Sequence, residues 1–145
     1  MNEERFRIYI AAFLILKKGD EVLVARRKGE WNDGKLSLIS GHLDGNETTR
    51  QCMIREAQEE AGIILSAQDL QIDFTCHCRF PDREYIFIYL SANQWHGTIE
   101  NKEPEKCSEL LWAQLDKLPE DVLPDVRFAL NSIAQGKHYG EFGWN

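Results

Sequence analysis

The sequence predicts one domain of α/β or α+β class, a mixed sheet covered by helices on two faces. Three observations carry that expectation. Aliphatic and β-branched runs stand on both sides of a clearly amphipathic helical stretch, a second such stretch lies near the C-terminus, and no repeat or composition break divides residues 1–145. A length of 145 residues suits a single domain with its own core. Hydrophobic residues at 43% and charged residues at 28% are the proportions of an ordinary soluble globule.

Phe6 to Leu16 is predicted as the first strand, after a charged start that mixes Glu3 and Glu4 with Arg5 and Arg7. Its apolar run, Ile8 to Leu16, is too short to cross a bilayer as a helix. Lys17-Lys18-Gly19-Asp20 stands where a signal-peptide cleavage site would have to be. The reading is therefore a buried strand in a chain with no membrane partner and no export signal, which implies a cytoplasmic location. Its four cysteines, Cys52, Cys76, Cys78 and Cys107, are expected as reduced thiols. Lys18-Gly19-Asp20 turns the chain into a second strand, Glu21 to Arg26, as a hairpin. Lys28 to Lys35 is a polar loop around Trp31, Leu36 to Ile39 a short apolar segment, and Ser40 to Glu47 a second loop.

Thr48 to Ala61 is the clearest helix, with Met53, Ile54, Ala57 and Ala61 on one stripe and Gly62 to end it. Strands are expected over Leu70 to Arg79 and Tyr85 to Ala92, separated by the Pro81-Asp82 turn. A turn at Trp95-His96-Gly97, a polar loop from Asn101 to Ser108 and a short strand from Leu110 to Gln114 follow. Asp125 to Gln135 is the second amphipathic helix, and Gly136 to Asn145 shows no period. Cys76-His77-Cys78 does not read as a metal site. In a strand the two cysteines share one face and His77 takes the other, and no second Cys/His pair stands at zinc-site spacing.

With 17 Lys and Arg against 24 Asp and Glu, the net charge of −7 argues against a nucleic-acid polymer as partner, which would require a basic surface. A small phosphorylated ligand stays open, because a divalent cation can invert the local field. Glu56, Glu59 and Glu60 bear on that point. At i, i+3 and i+4 they crowd one side of the first helix and repel one another. A solvated acidic face is one reading of such a cluster, and a site for a hard cation is the other.

The surroundings favour the cation. From Gly41 the chain reads GHLDGNETTRQCMIREAQEEAGI, which fits G-x5-E-x7-R-E-U-x-E-E-x-G-U, U being apolar, through Gly41, Glu47, Arg55, Glu56, Ala57, Glu59, Glu60, Gly62 and Ile63. Seven fixed residues would coincide by chance on the order of once in a million chains of this size. That pattern is the Nudix box, and the chain resembles the Nudix hydrolases. Trp31, Trp95-x-Gly97, Asn101-x-Glu103-Pro104-Glu105-Lys106 and Leu118-Pro119 extend the likeness toward the MutT-type nucleoside-triphosphate diphosphatases.

The resemblance implies a Nudix-type α/β/α sandwich with a catalytic loop–helix–loop, and hydrolysis of a nucleoside diphosphate linked to another moiety. It makes Glu56, Glu59 and Glu60 metal ligands for Mg2+, with Mn2+ as a substitute, and Glu56 the nearest candidate for activating water. Glu47 and Arg55 become an orienting ion pair. Gly41 allows close approach to metal and phosphates. The backbone carbonyl of Ser40 and the carboxylate of Glu103 complete the implied ligand set, with Glu105 second to Glu103. The family commonly has Leu-Pro-Gly-Gly where this chain has Leu38-Ile39-Ser40-Gly41, a change expected to keep the carbonyl.

The base would be read outside the box. Trp31, Phe80, Tyr85 and Trp95 are the aromatic candidates for stacking, and Arg26, Arg27 and Lys28 the cationic ones. The expected partner is a small nucleotide, most simply a nucleoside triphosphate, and the chain a monomer or homodimer. Two other readings stay open: a Nudix pyrophosphatase for nucleotide sugars or dinucleoside polyphosphates, and a noncatalytic nucleotide sensor. The shortness of the chain mildly favours triphosphates over nucleotide sugars, and the intact Glu56, Glu59 and Glu60 set weighs against a sensor.

Overall fold

The computed structural model describes residues 4–145, so Glu3 of the charged start lies outside the described residues. The elements run β1 (Tyr9–Lys18), β2 (Glu21–Arg27), β3 (Leu36–Ser37), β4 (Ile39–His42), α1 (Thr49–Ala61), β5 (Gln71–Phe80), β6 (Arg83–Ala92), β7 (Cys107–Gln114), α2 (Pro124–Ala134) and β8 (Tyr139–Phe142). A single turn of 3-10 helix, Ala67–Asp69, precedes β5.

β1 is apolar and buried from Ala11 to Leu16 because both faces of that stretch are covered. Ala12, Leu14 and Leu16 pack with Met53, Ala57 and Ala61 of α1 on one side. Ala11, Phe13 and Ile15 pack with Val126, Ala129 and Leu130 of α2 on the other. The result is the expected α/β/α sandwich. Truncating the fully buried Met53 to Ala would cost about 2–5 kcal/mol, the range for a filled core position.

The sheet is mixed. β6 runs parallel to β1 (Tyr9↔Tyr85 to Leu16↔Ala92), β5 antiparallel to β6, and β8 parallel to β5 (Thr75↔Tyr139 to Cys78↔Phe142). β4 lies antiparallel along the other edge of β1, with Ala12 opposite Gly41. The predicted hairpin exists only at its turn, where Lys17↔Val22 and Lys18↔Glu21 pair. Beyond it β2 diverges to pair with β3 and β7.

Four boundaries differ from the sequence-based expectation. β1 starts at Tyr9, since its pairing with β6 begins at Tyr9↔Tyr85, and Phe6 is left exposed. Ser40, Gly41 and His42 belong to β4 and not to a loop, because β1 offers them an edge to pair with. β7 begins at Cys107, three residues early, because a register shift lets Arg27 of β2 pair with Cys107. The tail without a period forms β8, a strand of only four residues interrupted by Gly140, too short for alternation to show. No described helix is long and apolar enough to cross a membrane.

Candidate active site

The site begins with the capping of α1. Thr48 Oγ1 accepts from the Gln51 N–H at 3.1 Å, and Gln51 Oε1 accepts from the Thr48 N–H at 2.8 Å, a reciprocal capping box. Gly62 closes the other end in the left-handed conformation, φ 71°, which a side chain would strain. With both ends pinned and Cys52, Met53, Ala57 and Ala61 buried, Glu56 and Glu60 must stand one turn apart over β4.

Glu56 lies directly against Gly41, so closely that a Cβ there would collide with its carboxylate. The glycine is demanded by a side chain of α1, since its own φ is not in the left-handed region. The Glu56 and Glu60 carboxyls stand close enough for each to shift the titration of the other. Burial raises both carboxyls above their ordinary range. Glu60 is pushed up to about 9, first by burial, then by the adjacent Glu56 carboxyl, with Glu103 adding to it, while a backbone hydrogen bond at Ser40 opposes the shift. The field of Glu103 also raises Glu56, which the adjacent Arg55 lowers.

Arg55 organises the other side. Its Nη2 donates to Glu47 Oε2 at 2.9 Å and its Nε to Glu47 Oε1 at 3.1 Å, a two-pronged pair. The same guanidinium reaches Glu59 Oε1 at 3.2 Å, Asp44 Oδ2 at 3.3 Å, Glu56 Oε2 at 3.4 Å and the His42 carbonyl at 3.4 Å. Arg55 holds the Glu47 carboxyl below the usual range, helped by the Asp44 N–H. Loop, β4 and helix are thereby tied together at one arginine.

The structure thus brings Glu56, Glu60, Ser40, Gly41 and the field of Glu103 together, and sets half-exposed Glu59 aside on Arg55. Among the described residues no three His, Cys, Asp or Glu side chains form a ready-made metal cage. What exists is a pair of partly buried, neighbouring carboxyls within the field of a third, Glu103. That donor set suits Mg2+, which takes one or two carboxylates and fills its remaining positions with waters and substrate phosphate oxygens.

Beside this seam opens a cavity of about 680 Å³. Ser40, Gly41 and His42 form its β4 edge, Phe80, Arg83, Tyr85 and Phe87 the β5–β6 end, Leu123, Pro124 and Asp125 the start of α2, and Phe142 the C-terminal side. Of the predicted base readers, Phe80 and Tyr85 lie in this wall, their rings 5.9 Å apart, and Trp31 stands at its margin mostly in solvent. Trp95 does not reach it, being packed on Trp112 with centroids 6.1 Å apart in the α1-side core. Arg26 does not line it either: its guanidinium is bound to Glu109 at 2.7 Å, Asp121 at 2.6 Å and the Gly34 carbonyl at 2.9 Å. Its neighbour Arg27 takes the cavity position, and Lys28 instead reaches the Pro104 carbonyl.

Asp125 was missed in the sequence. Pro124 occupies the first helical position of α2, so an acidic residue next to it looked like ordinary first-turn chemistry. In the fold its carboxyl is partly buried in the cavity wall and raised by that burial, against the lowering field of Arg27.

A layered α/β/α domain whose carboxylate-bearing helix is clamped to the sheet edge offers the oxygen donors that a divalent ion bridging to phosphate would take. A family model described as the NUDIX domain matches residues 5–132, and the chain belongs to that family. It is accordingly a pyrophosphohydrolase, of a family that acts on small nucleotides and generally uses a divalent metal. The chain is 31% identical over 101 residues to an 8-oxo-dGTP diphosphatase of Proteus vulgaris, covering 69% of this chain and 88% of that one. It is 26% identical over 113 residues to the NAD-capped RNA hydrolase NudC of Pseudomonas aeruginosa, covering 78% of this chain but 38% of that longer protein. Among solved structures, a MutT NUDIX hydrolase from Burkholderia pseudomallei superposes with TM-score 0.79 at 22% identity, covering 87% of this chain and 98% of that one, a likeness of fold.

Proposed function

We propose that this protein hydrolyses a (deoxy)nucleoside triphosphate to the nucleoside monophosphate and pyrophosphate, with Mg2+ held by Glu56 and Glu60. The observation that carries the reading is the partly buried Glu56–Glu60 pair beside Gly41 of β4, the strand whose Ser40, Gly41 and His42 also edge the aromatic cleft. Two carboxyls in contact need either a proton or a cation between them, and a polyphosphate needs a cation to approach an acidic protein. The similarity to an 8-oxo-dGTP diphosphatase supports a triphosphate, and an oxidised one belongs in the panel that tests it.

When bound, the ion would lower the pKa of water and neutralise charge on the phosphates. The chain does the rest. Glu56 and Glu60 would hold the ion with the Ser40 carbonyl and Glu103, and Glu56 is placed to accept a proton from water. Glu59, which the Arg55 guanidinium holds alongside Glu56, would complete the set. Glu47 and Arg55 fix the loop, Gly41 lets Glu56 sit down, and Phe80 and Tyr85 offer ring faces to the base.

The test is turnover of canonical and oxidised nucleoside triphosphates, nucleotide sugars, dinucleoside polyphosphates and NAD-capped RNA with Mg2+ or Mn2+, scoring pyrophosphate and phosphate separately. Pyrophosphate from triphosphates is expected, and Glu60→Gln should lower its rate by at least about two orders of magnitude. Glu59→Gln should lose a comparable amount. Turnover confined to the other compounds overturns the triphosphate reading, and binding without turnover of any of them overturns catalysis.

A further inference from the structure

The C-terminal segment Tyr139–Trp144 is built into the cleft in a way the box chemistry does not require. β8 lies beyond residue 132, the last that the family model matches, and pairs in parallel with the cleft-bearing end of β5. Three placements fix it. Gly140 sits where a Cβ would press on Phe74 and Phe128. Gly143, at φ +86°, brings the chain so close to β5 that a Cβ would strike the Arg79 carbonyl. Trp144 then folds back: its Nε1 donates to the His77 carbonyl at 3.0 Å, and its ring stands 4.7 Å from that of His77 and 5.5 Å from the Arg79 guanidinium.

What this anchoring delivers to the cavity is Phe142. Its ring packs 5.4 Å from Phe128 behind it and 6.3 Å from Phe80 alongside, and the residue is only partly buried because the remainder faces the cavity. Phe80 and Phe142 meet at 49°, two aromatic faces set at an angle on the side of the cleft away from β4. β4, against which Glu56 sits, and β8 are opposite edges of the strand order β4-β1-β6-β5-β8, so a nucleotide whose phosphates are held at the β4 edge and whose base enters the cleft extends toward this wall. We infer that Phe142 is a specificity-determining residue that packs against the substrate's base, held in place by the Gly143-Trp144 anchor; the inference rests on the nucleotide reading above.

Phe142→Ala tests it, with Phe142→Leu as the conservative partner and thermal melting to show that both fold. For nucleoside triphosphates the Ala variant should raise KM by roughly five- to a hundredfold, the loss of one base–aromatic contact, with kcat changed far less. The ratio of kcat/KM between purine and pyrimidine triphosphates should shrink, and Phe142→Leu should recover part of the KM. Mn2+ affinity, read by electron paramagnetic resonance, should stay at the parent value, as a general loosening of the fold would not allow. KM and base ratios equal to the parent's in a folded Ala variant overturn the assignment while leaving the triphosphatase reading intact. A parent protein that turns over no triphosphate overturns both.

Discussion

Gly41 shows how much one missing methyl group decides. It sits in an extended strand, where its backbone makes no special demand, yet the Glu56 carboxylate occupies the space of its absent Cβ. Gly41→Ala should therefore fold, because only the end of a side chain must yield, but Glu56 would be displaced by about an ångström. Misplacement on that scale costs about a hundredfold in rate. Steady-state turnover together with Mn2+ affinity checks this, and a Gly41→Ala enzyme within threefold of the parent would refute it. Glu47 acts differently. Arg55 lowers its pKa below the usual range, so the folded state gains stability above the unfolded carboxyl's pKa and loses it as pH falls through the lower folded value. The stability difference between parent and Glu47→Gln should then be present at about pH 7 and shrink as pH falls below the ordinary carboxyl range, by urea titration. A difference that grew on acidification would contradict the ion pair as the source.

At the scale of elements, α1 is where sequence and structure agree best, and the reason is local. Its cap, its apolar stripe, its carboxylates and its terminal glycine all lie within one short stretch, so spacing alone places them. Thr48→Ala should cost about 0.5–2 kcal/mol by loss of the cap, measurable by chemical denaturation, with much less effect on turnover. What could not be read are features made by long-range pairing. β4 looked like a loop because Ser40 and Gly41 have loop chemistry, and only the free edge of β1 makes them a strand. β8 and Phe142 were invisible for the same reason, since their partner β5 lies some sixty residues earlier. Arg26 and Arg27 are adjacent in sequence, yet Glu109 and Asp121 claim the first while the second faces the cavity. Asp125 gained its meaning only when folding buried it.

At the scale of the whole molecule, the fold stores an electrostatic conflict at its active edge. The sandwich presses Glu56 and Glu60 together, within the field of Glu103, in a protein whose net charge is already −7. Nothing in the packing requires two acids there; an amide of the same shape would hydrogen-bond its neighbour without the penalty of burying charge. Glu60→Gln should therefore raise the melting temperature of the metal-free protein while removing nearly all turnover. For the parent, Mn2+ should raise the melting temperature as a ligand that binds only the folded state, and that gain should largely disappear in Glu60→Gln. Scanning calorimetry of both proteins with and without the ion reads all four values. If the Gln variant melted lower than the parent in chelator, the pair would be a net stabilising contact in the metal-free fold, and a role for cations in relieving it would lose its physical basis. The expected pattern is the trade of stability for activity that a site prepared for a charged ligand must show.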